Sequence, residues 1–532
     1  MKTNCTSIRR VKCDEGRPIC QRCVRFEVVC DGYKESKEQD TTKENDAGIA
    51  KAGSIVIRTR RPRPKPTVQT PSFTGSIRRP PPLSLFKNEQ EYRYFTIFTT
   101  QIASQLAGLF PTSLWNYLVL QACESNVSIR HAVIAIGALD PKTWRGGAKS
   151  PEMKFRRQFA YKQYSMAIGH MRKTISTTSL DLRTRLISCL LFICFELCHF
   201  NRPSAIAQIR AMGSLLEDGS NERHTSIDEK VEEELKEAFR ELKAQTLFYD
   251  CSGSLLSQQQ ILMSRQTARD DFPQEFASLN HARSVLHQLE VRQHYWTGSS
   301  GYDWPWYMAT PVMGTASDPP PNEHTSNEDW CAERERRFEE YAIWSNAVQT
   351  LLFNARKAND PRENRRASLL RASFLTAYLS LMVPMLSPLE AYYGQTDRLR
   401  ELMGLIKSLM TTSSSADNGF SMEMNFVIPL SRICYRFRHR ALRKEAIDLL
   451  LAYPRREGLF DGVLIGSYSK WLAEIEEEGL GDEEEYVPHE LVISTMNVDI
   501  DVINKTAKLT AFQKVRNDPD RTVKRQTVIR WS

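Results

Sequence analysis

The feature that most constrains this chain is the spacing of four cysteines near its N-terminus. Cys13, Cys20, Cys23 and Cys30 form the pattern Cys-x6-Cys-x2-Cys-x6-Cys within the segment CDEGRPICQRCVRFEVVC. Thiolates at such short spacings can converge on a metal, and soft sulfur ligands with a tetrahedral preference favour zinc. Because sulfur would fill the ligand positions and leave none for water, the pattern predicts a structural zinc site and argues against zinc catalysis.

Buried or disulfide-bonded cysteines are the alternative explanation of this pattern. Five of the twelve cysteines fall in the first thirty residues, so their clustering is not a consequence of composition. The N-terminal stretch MKTNCTSIRR lacks the apolar core of a secretory signal, and nothing in the chain implies the oxidising compartment that a disulfide framework needs. Metal binding is therefore favoured, and it would supply the folding free energy that so short a segment cannot obtain from a core.

The cysteine pattern resembles the larger part of the fungal zinc binuclear cluster, Cys-x2-Cys-x6-Cys-x6-Cys-x2-Cys-x6-Cys. In that family six cysteines hold two zinc ions and place a short helix in the DNA major groove. The resemblance covers Cys13–Cys30 and stops there, because the positions of the first two family cysteines hold Thr3 and Thr6. A threonine hydroxyl does not replace a thiolate on zinc. Cys5, one residue out of register, is a fifth candidate ligand.

Two explanations of the missing cysteine pair stay open. The favoured one is that Met1 is not the natural start, or that a splice junction is misplaced, and that a complete pair lies upstream. The other is that the cluster is degenerate and holds one zinc ion or none. In the family the first and fourth cysteines bridge both metals, and Cys20 occupies the fourth position, so the absent first cysteine would weaken both sites. The predicted cofactor is zinc, with two ions in a complete cluster.

The resemblance also implies a set of DNA-binding residues. Relatives read a CGG-like triplet with the basic residue three positions before the third cysteine, and Arg10 stands at that position. Lys12 is the second candidate, and Arg9 matches a basic position that contacts phosphate or base edges. Guanine offers the acceptors O6 and N7, which suit such donors. Arg22 and Arg25 are candidate phosphate contacts on the second half of the cluster.

A linker is predicted over residues 34–85, after a cluster segment at 1–33. Apolar residues are few there and proline is frequent, so the composition does not support a core. Its basic run is interpreted as a nuclear-import signal or as an arm that binds the phosphate backbone of DNA. A solvated spacer is an alternative of equal weight. That run comprises Arg58, Arg60, Arg61, Arg63 and Lys65.

Helical periodicity dominates the chain over residues 86–532. In EYRYFTIFTTQIASQLAGLF the apolar residues recur at steps of three and four, and similar patterns return several times. The run LISCLLFICFELCHF is too short to span a membrane and contains Glu196, so it predicts a buried helix. With YKQYSMAIGHMRKTI and WLAEIEEEGLGDEEEYVP, it resembles the fungal-specific transcription factor regulatory domain. The predicted fold class is mostly α, with short C-terminal strands in NVDIDVINKTAKLTAF and VKRQTVIRW.

Other constellations in the sequence have structural explanations. No phosphate-binding, nucleophile-elbow or zinc-protease motif is present, so the chain is predicted not to be an enzyme. His281, His287 and His294 are spaced by six and seven residues, which does not align three metal ligands. The acidic run Glu474–Glu485 is interpreted as a helix end with a solvated charge run rather than as an activation segment.

These observations predict a nuclear, sequence-specific DNA-binding regulator of RNA polymerase II genes. Its predicted partners are double-stranded DNA and the transcription machinery. A homodimer is left open. No heptad repeat follows the zinc segment, so the coiled-coil dimer found in many relatives is not supported, and no membrane association is expected. The alternative is a degenerate, non-DNA-binding helical protein that mediates interactions or responds to a ligand, and it is motivated by Thr3 and Thr6.

Overall fold

The computed structural model describes residues 83–110, 113–139, 151–177, 181–218, 226–249, 272–299, 327–358, 360–382, 394–411, 419–493, 495–501, 504–515 and 518–531. All of these residues belong to one compact unit, Arg79–Ser532. The cluster segment predicted at 1–33 lies outside the described residues. The predicted linker does too, apart from the 3-10 turn at Leu83–Leu85. The boundaries drawn at residues 33 and 85 stay predictions.

Helices form most of the described part of the chain. In chain order they are α1 Glu89–Ile97, α2 Ala103–Ala107, α3 Val119–Ser125, α4 Val127–Ala138, α5 Pro151–Thr177, α6 Leu182–Cys198, α7 Arg202–Asp218, α8 Ser226–Tyr249, α9 Leu279–Ser299, α10 Asn327–Lys357, α11 Pro361–Met382, α12 Thr396–Thr411, α13 Val427–Arg432, α14 Arg440–Ala452 and α15 Gly462–Glu476. Wider π-helical turns occur at Phe98–Ile102, Leu114–Leu118 and Ile433–Phe437. The predicted mostly-α fold class is confirmed.

Short polar side chains set the starts of several helices. Asn88, Asn126, Asp181 and Asp461 each precede a helix and accept a hydrogen bond from the backbone N–H three residues later, at 2.9–3.1 Å. Each bond satisfies one of the donors that the first helical turn leaves without a partner inside the helix. The sequence thus specifies the beginnings of α1, α4, α6 and α15 locally.

The core of the N-terminal half surrounds α4. This helix has apolar residues on all sides, and ten of its twelve residues are buried. It packs against α1, α3, α5 and α6. The buried polar groups on α4 have partners: the Ser128 hydroxyl donates to the Ala167 carbonyl at 2.7 Å, and the His131 imidazole bonds the Gln163 amide at 2.5 Å. A helix with apolar residues on all sides must be surrounded by other elements, and four helices surround α4.

The buried helix predicted from LISCLLFICFELCHF is confirmed as α6. Twelve of its seventeen residues are buried, including Cys194 and Cys198, whereas Cys189 is half-buried. Burial raises the pKa of the Cys189 thiol to about 11. These cysteines therefore act as small apolar residues of the core. No helix in the described part of the chain has the length and apolarity to cross a membrane.

The C-terminal segments form an antiparallel sheet of three strands. These are β4 Thr495–Asp501, β5 Thr506–Val515 and β6 Asp518–Arg530, in the order β4-β5-β6. The sequence predicted a strand pair, but the first of the two segments itself folds back to give β4 and β5. A smaller sheet joins three two-residue strands, β1 Phe420–Ser421, β2 Arg456–Glu457 and β3 Phe460–Asp461, with β1 parallel to β2.

Two helical glycines provide a matched test of the α4 packing. A Cβ at Gly137 would overlap the Tyr94 carbonyl on α1, whereas nothing lies within 4 Å of a Cβ at Gly169 on α5. Gly137→Ala should lower the free energy of unfolding by about 1–3 kcal/mol through overpacking. Gly169→Ala should raise it by about 0.5–1 kcal/mol, because alanine is the better helix former. Urea unfolding followed by circular dichroism measures both. Equal effects of the two substitutions would contradict this packing.

Candidate functional site

The residues predicted to bind metal and DNA all lie outside the part of the chain that the structure describes. They are Cys5, Cys13, Cys20, Cys23 and Cys30 for zinc, and Arg9, Arg10, Lys12, Arg22 and Arg25 for DNA. The basic run Arg58, Arg60, Arg61, Arg63 and Lys65 lies outside it as well. Their assignments stay predictions. The described residues contain a different candidate site, a cavity inside the helical unit.

This cavity has a volume of about 320 Å³ and a largely apolar wall. Helices α2, α6, α8 and α9 contribute to it, together with the π-helical turn after α2 and the residues that follow β1. Apolar side chains that line it include Leu106, Phe110, Leu114, Trp115, Leu242 and Met422. A volume near 300 Å³ lies at the lower end for small-molecule sites in proteins, which span roughly 300–1,000 Å³.

Charged side chains line one part of this cavity. Glu234, Glu237, Glu241 and Glu423 are there with one guanidinium, that of Arg283. Arg283 Nη2 lies 2.9 Å from Glu423 Oε1, and the guanidinium carbon lies 4.4 Å from the centre of the Phe110 ring. Burial raises the pKa of Glu423 despite the opposing effect of Arg283. Carboxylates thus outnumber cations among the described residues that line the cavity.

Local backbone geometry brings Glu423 to the cavity. Gly108 ends α2 with φ at +66°, a conformation that side-chain-bearing residues rarely adopt. A Cβ at this position would overlap the Glu423 carboxylate. On the far side, Glu234 accepts hydrogen bonds from the Ser113 backbone N–H at 2.9 Å and from its hydroxyl at 2.8 Å. The cavity charges are therefore held by specific contacts.

A smaller cavity of about 60 Å³ adjoins the first, and Phe110, Glu241 and Arg283 line both. Glu290 on α9 lies in it, with its carboxylate 4.0 Å from the His287 imidazole. Burial raises the pKa of Glu290 to about 8, which Arg432 only partly offsets. This carboxyl group is therefore mostly protonated at neutral pH in the folded chain.

The raised pKa of Glu290 predicts a pH-dependent stability. The unfolded chain ionises this group near pH 4–5. The folded chain holds this proton more tightly than the unfolded chain does. The resulting stabilisation is therefore complete below that range, and the free energy of unfolding falls as pH rises toward 8, by on the order of 1 kcal/mol per pH unit. Glu290→Gln, which is always neutral, should match the wild type near pH 4.5 and exceed it in stability at pH 7.5. Thermal melts across pH test this.

The control for Glu290 is Glu401→Gln, which removes a carboxylate from an exposed pair with Arg371. This substitution should leave the slope of stability against pH between pH 5 and 8 unchanged. A Glu290→Gln melting profile parallel to that of the wild type would contradict the raised pKa.

The acidic run Glu474–Glu485 is a helix end followed by a folded turn. Helix α15 ends at Glu476, and Gly479 adopts φ at +79°. Arg440 Nη1 donates to the Gly481 carbonyl at 2.6 Å and to the Glu484 carbonyl at 2.9 Å. The backbone of this segment is therefore anchored against α14, as the helix-end interpretation requires.

A buried ion-pair cluster joins α14 to the end of α15. The Glu476 carboxylate is 1% exposed and contacts Arg443 Nη2 at 2.8 Å and Arg438 Nε at 3.2 Å. It also accepts from the Ile493 backbone N–H at 2.9 Å. Burial alone would raise the pKa of Glu476, but Arg438 and Arg443 outweigh burial and lower it. The carboxylate is thus ionised, and its contribution to stability is lost only as pH falls through this lowered pKa.

Glu476→Gln should lower the free energy of unfolding by about 3–5 kcal/mol, because it removes the carboxylate that Arg438 and Arg443 share in a buried site. Arg443 keeps the longer contact to the Glu477 carboxylate, at 3.4 Å. The matched control is Glu478→Gln, two residues further on, whose carboxylate forms an exposed pair with Arg525. That control should unfold at the same denaturant concentration as the wild type, because exposed ion pairs contribute little to the free energy of unfolding. Chemical denaturation measures both variants, and similar midpoints for the two would contradict the buried cluster.

The histidines are not gathered into a metal site. His281 is exposed, whereas His287 and His294 are buried. Within the described ranges no group of three or more His, Cys, Asp or Glu residues is placed to hold a metal ion.

Sequence reasoning missed the cavity altogether. Its lining residues come from segments as far apart as Leu106 and Glu423. The one local signal was the pair Glu237 and Glu241 at a four-residue spacing on the amphipathic helix α8, which also fits a solvated face. Only the packing of α2, α8 and α9 turns these carboxylates toward one space.

Comparison with known families gives two matches. Residues 3–40 match the fungal Zn(2)-Cys(6) binuclear cluster domain, and residues 93–300 match the fungal specific transcription factor domain. The resemblance drawn from the cysteine pattern and the helical segments is confirmed, with the two domains in the predicted order. Most of the cavity-lining residues fall within the second match.

Two curated relatives have similar sequences. The aspercryptin biosynthesis cluster-specific transcription regulator atnN of Emericella nidulans is 28% identical over 257 residues, which are 47% of this chain and 40% of the relative. The transcription regulator lscL of Purpureocillium lilacinum is 27% identical over 199 residues, 36% of this chain and 42% of the relative. The matched regions thus span less than half the length of these relatives. No solved structure matches the chain.

Zinc is the cofactor that the matched cluster domain implies, since a domain of this kind binds two zinc ions. The donor set of this chain fits one tetrahedral zinc site directly, through the thiolates of Cys13, Cys20, Cys23 and Cys30. A cluster with a second zinc ion uses six thiolates, and this segment offers five even when Cys5 is counted. The two threonines at the family's first cysteine positions are poor substitutes, because zinc prefers thiolate to a neutral hydroxyl.

Proposed function

Because this chain combines the cluster domain and the regulatory domain of fungal Zn2Cys6 transcription factors, we propose that it is a nuclear regulator of RNA polymerase II genes that binds specific DNA sequences. The observation that carries the proposal is the pattern Cys13–Cys30, preceded by basic residues, inside the segment matched to the cluster domain. The helical domain that follows it supports the same role. Both curated relatives are named as transcription regulators.

Base recognition is assigned to the basic residues before Cys13. Arg10 is proposed to donate two hydrogen bonds to O6 and N7 of a guanine in a CGG-like triplet. Lys12 and Arg9 are proposed to contact the adjacent base edge or phosphate. Arg22 and Arg25 would hold the second half of the cluster on the DNA backbone, which fixes the register without reading sequence.

Zinc is proposed to be structural in this role. The thiolates fix the short loops that carry the basic residues, and a metal with four sulfur ligands has no open position for a substrate. The role proposed for the whole chain is accordingly non-catalytic. The basic run from Arg58 to Lys65 is proposed to serve nuclear import.

Arg10→Ala in the full-length chain tests the assignment. We expect the preference for a CGG-containing duplex over a scrambled duplex to fall by about 5- to 150-fold, because one bidentate contact contributes roughly 1–3 kcal/mol of discrimination. Weak binding that declines steeply with salt should remain, because the phosphate contacts survive. Gel-shift titrations at two salt concentrations measure both effects.

The control for Arg10 is Arg172→Ala, at an exposed position on α5. This variant has the same change in charge and should bind both duplexes as the wild type does. Undiminished sequence preference in Arg10→Ala, with zinc content unchanged, would overturn the assignment of the reading residue.

Thr3 and Thr6 favour a second candidate function, a helical interaction or ligand-responsive protein that does not bind DNA. Zinc per chain, measured by elemental analysis of the purified full-length protein, separates the two candidates. Two zinc ions would mean that Cys5 and one further ligand complete the cluster and would support DNA binding. One ion or none, together with equal affinity for both duplexes, would support the second candidate.

A further inference from the structure

The cavity between α2, α8 and α9 has a property that DNA recognition does not use. Its wall is apolar on the side of Phe110 and Trp115 and carboxylate-rich on the side of α8. Both aromatic side chains are almost fully buried, with exposures of 5% and 3%. A concave apolar space with a few convergent polar groups is the usual form of a small-molecule site.

The sign of the charge selects the ligand class. Three lining carboxylates project from α8, and Glu423 approaches from the segment after β1. The one lining guanidinium, that of Arg283, already contacts Glu423 and the Phe110 ring. Glu237 also pairs with Arg240 on the same helix. An anionic ligand would still meet more carboxylates than guanidiniums in the cavity wall, whereas a cation would meet carboxylates in a partly desolvated space.

Glu241 is well placed to receive a cation. Its side chain is 20% exposed and lines both the larger and the smaller cavity. The His287 imidazole lies on the side of the smaller cavity, with its Nδ1 3.6 Å from Glu241 Oε2. Because Glu241 also lines the larger cavity, a ligand ammonium there can contact its carboxylate.

We propose that this cavity binds a small organic cation, a protonated amine on an apolar frame. The ammonium group lies against the α8 carboxylates, chiefly Glu241, and the frame packs against Phe110, Leu114 and Trp115. The volume of about 320 Å³ accommodates one ring with a short chain. Because the ligand contacts α2, α8, α9 and the segment after β1 together, it stabilises the packing of these four elements.

Three probes with one frame and different head groups test this proposal on the purified full-length chain: 4-phenylbutylamine, 4-phenylbutan-1-ol and 4-phenylbutyrate. We expect saturable binding of the amine by titration calorimetry and a concentration-dependent rise in melting temperature. The alcohol should bind about tenfold more weakly or worse, because it lacks the charge-assisted contact. The butyrate should not saturate.

Two variants locate the binding. Ala238→Phe places a ring inside the cavity from α8 and should abolish amine binding. Glu241→Gln keeps the shape and should weaken amine binding about tenfold while leaving alcohol binding unchanged. The matched control Glu401→Gln, at an exposed carboxylate on α12, should bind the amine as the wild type does. If Ala238→Phe fails to fold, the Glu241→Gln comparison alone decides the site.

Several results would overturn the proposal. Binding of the butyrate as tight as that of the amine would contradict the charge argument. Undiminished amine binding by folded Ala238→Phe or by Glu241→Gln would place the ligand elsewhere. Absence of saturable amine binding at millimolar concentrations would reject the cavity as a site for this class. These measurements contain no DNA, so they succeed or fail independently of the proposed DNA recognition.

Discussion

The enclosure of α4 is the interaction on which the rest of the described fold depends. Each fully buried branched side chain on this helix, such as Ile129, Val133 or Ile134, contributes about 1.5–3 kcal/mol by leaving water. Four other helices must surround α4 to obtain that free energy. The close approach of α1 requires glycine at position 137. The position of α1 in turn constrains the position of α2, which follows it in the chain and lines the cavity.

Buried charged groups fix the relative positions of neighbouring elements, which apolar packing alone would specify less strictly. Glu457, which is fully buried, accepts hydrogen bonds from the three backbone N–H groups of Asn425, Phe426 and Val427 at the start of α13. Glu476 joins α14 to the end of α15 through its ion pairs with Arg438 and Arg443. Desolvation makes such groups costly unless every partner is present, so they penalise any packing other than the observed one. Arg283 and Glu423 act likewise at the cavity.

The two proposed activities depend on different physics. The cluster segment is too short for a core, so metal ligation would be its source of folding free energy. The helical unit has its own apolar core, and its cavity would respond to a ligand through contacts between α2, α8, α9 and the segment after β1. A regulator built in this way can recognise DNA with one part and bind a small molecule with another. Each part can therefore be tested without the other.

The sequence by itself determined the features whose causes are local. Cysteine spacing indicated a zinc cluster, the three-to-four-residue apolar period indicated the helices, and β-branched alternation indicated C-terminal strands. All of these depend on residues close together in sequence, within the 18 residues of Cys13–Cys30 in the case of the cluster. The sequence did not reveal the third strand, because the turn near Asn504 lies inside what looked like one segment. Tertiary structure alone decided the cavity, since a carboxylate on α8 has the same local pattern whether it faces water or the cavity. Which one it faces depends on helices distant in sequence, because burial and charge pairing are set by packing.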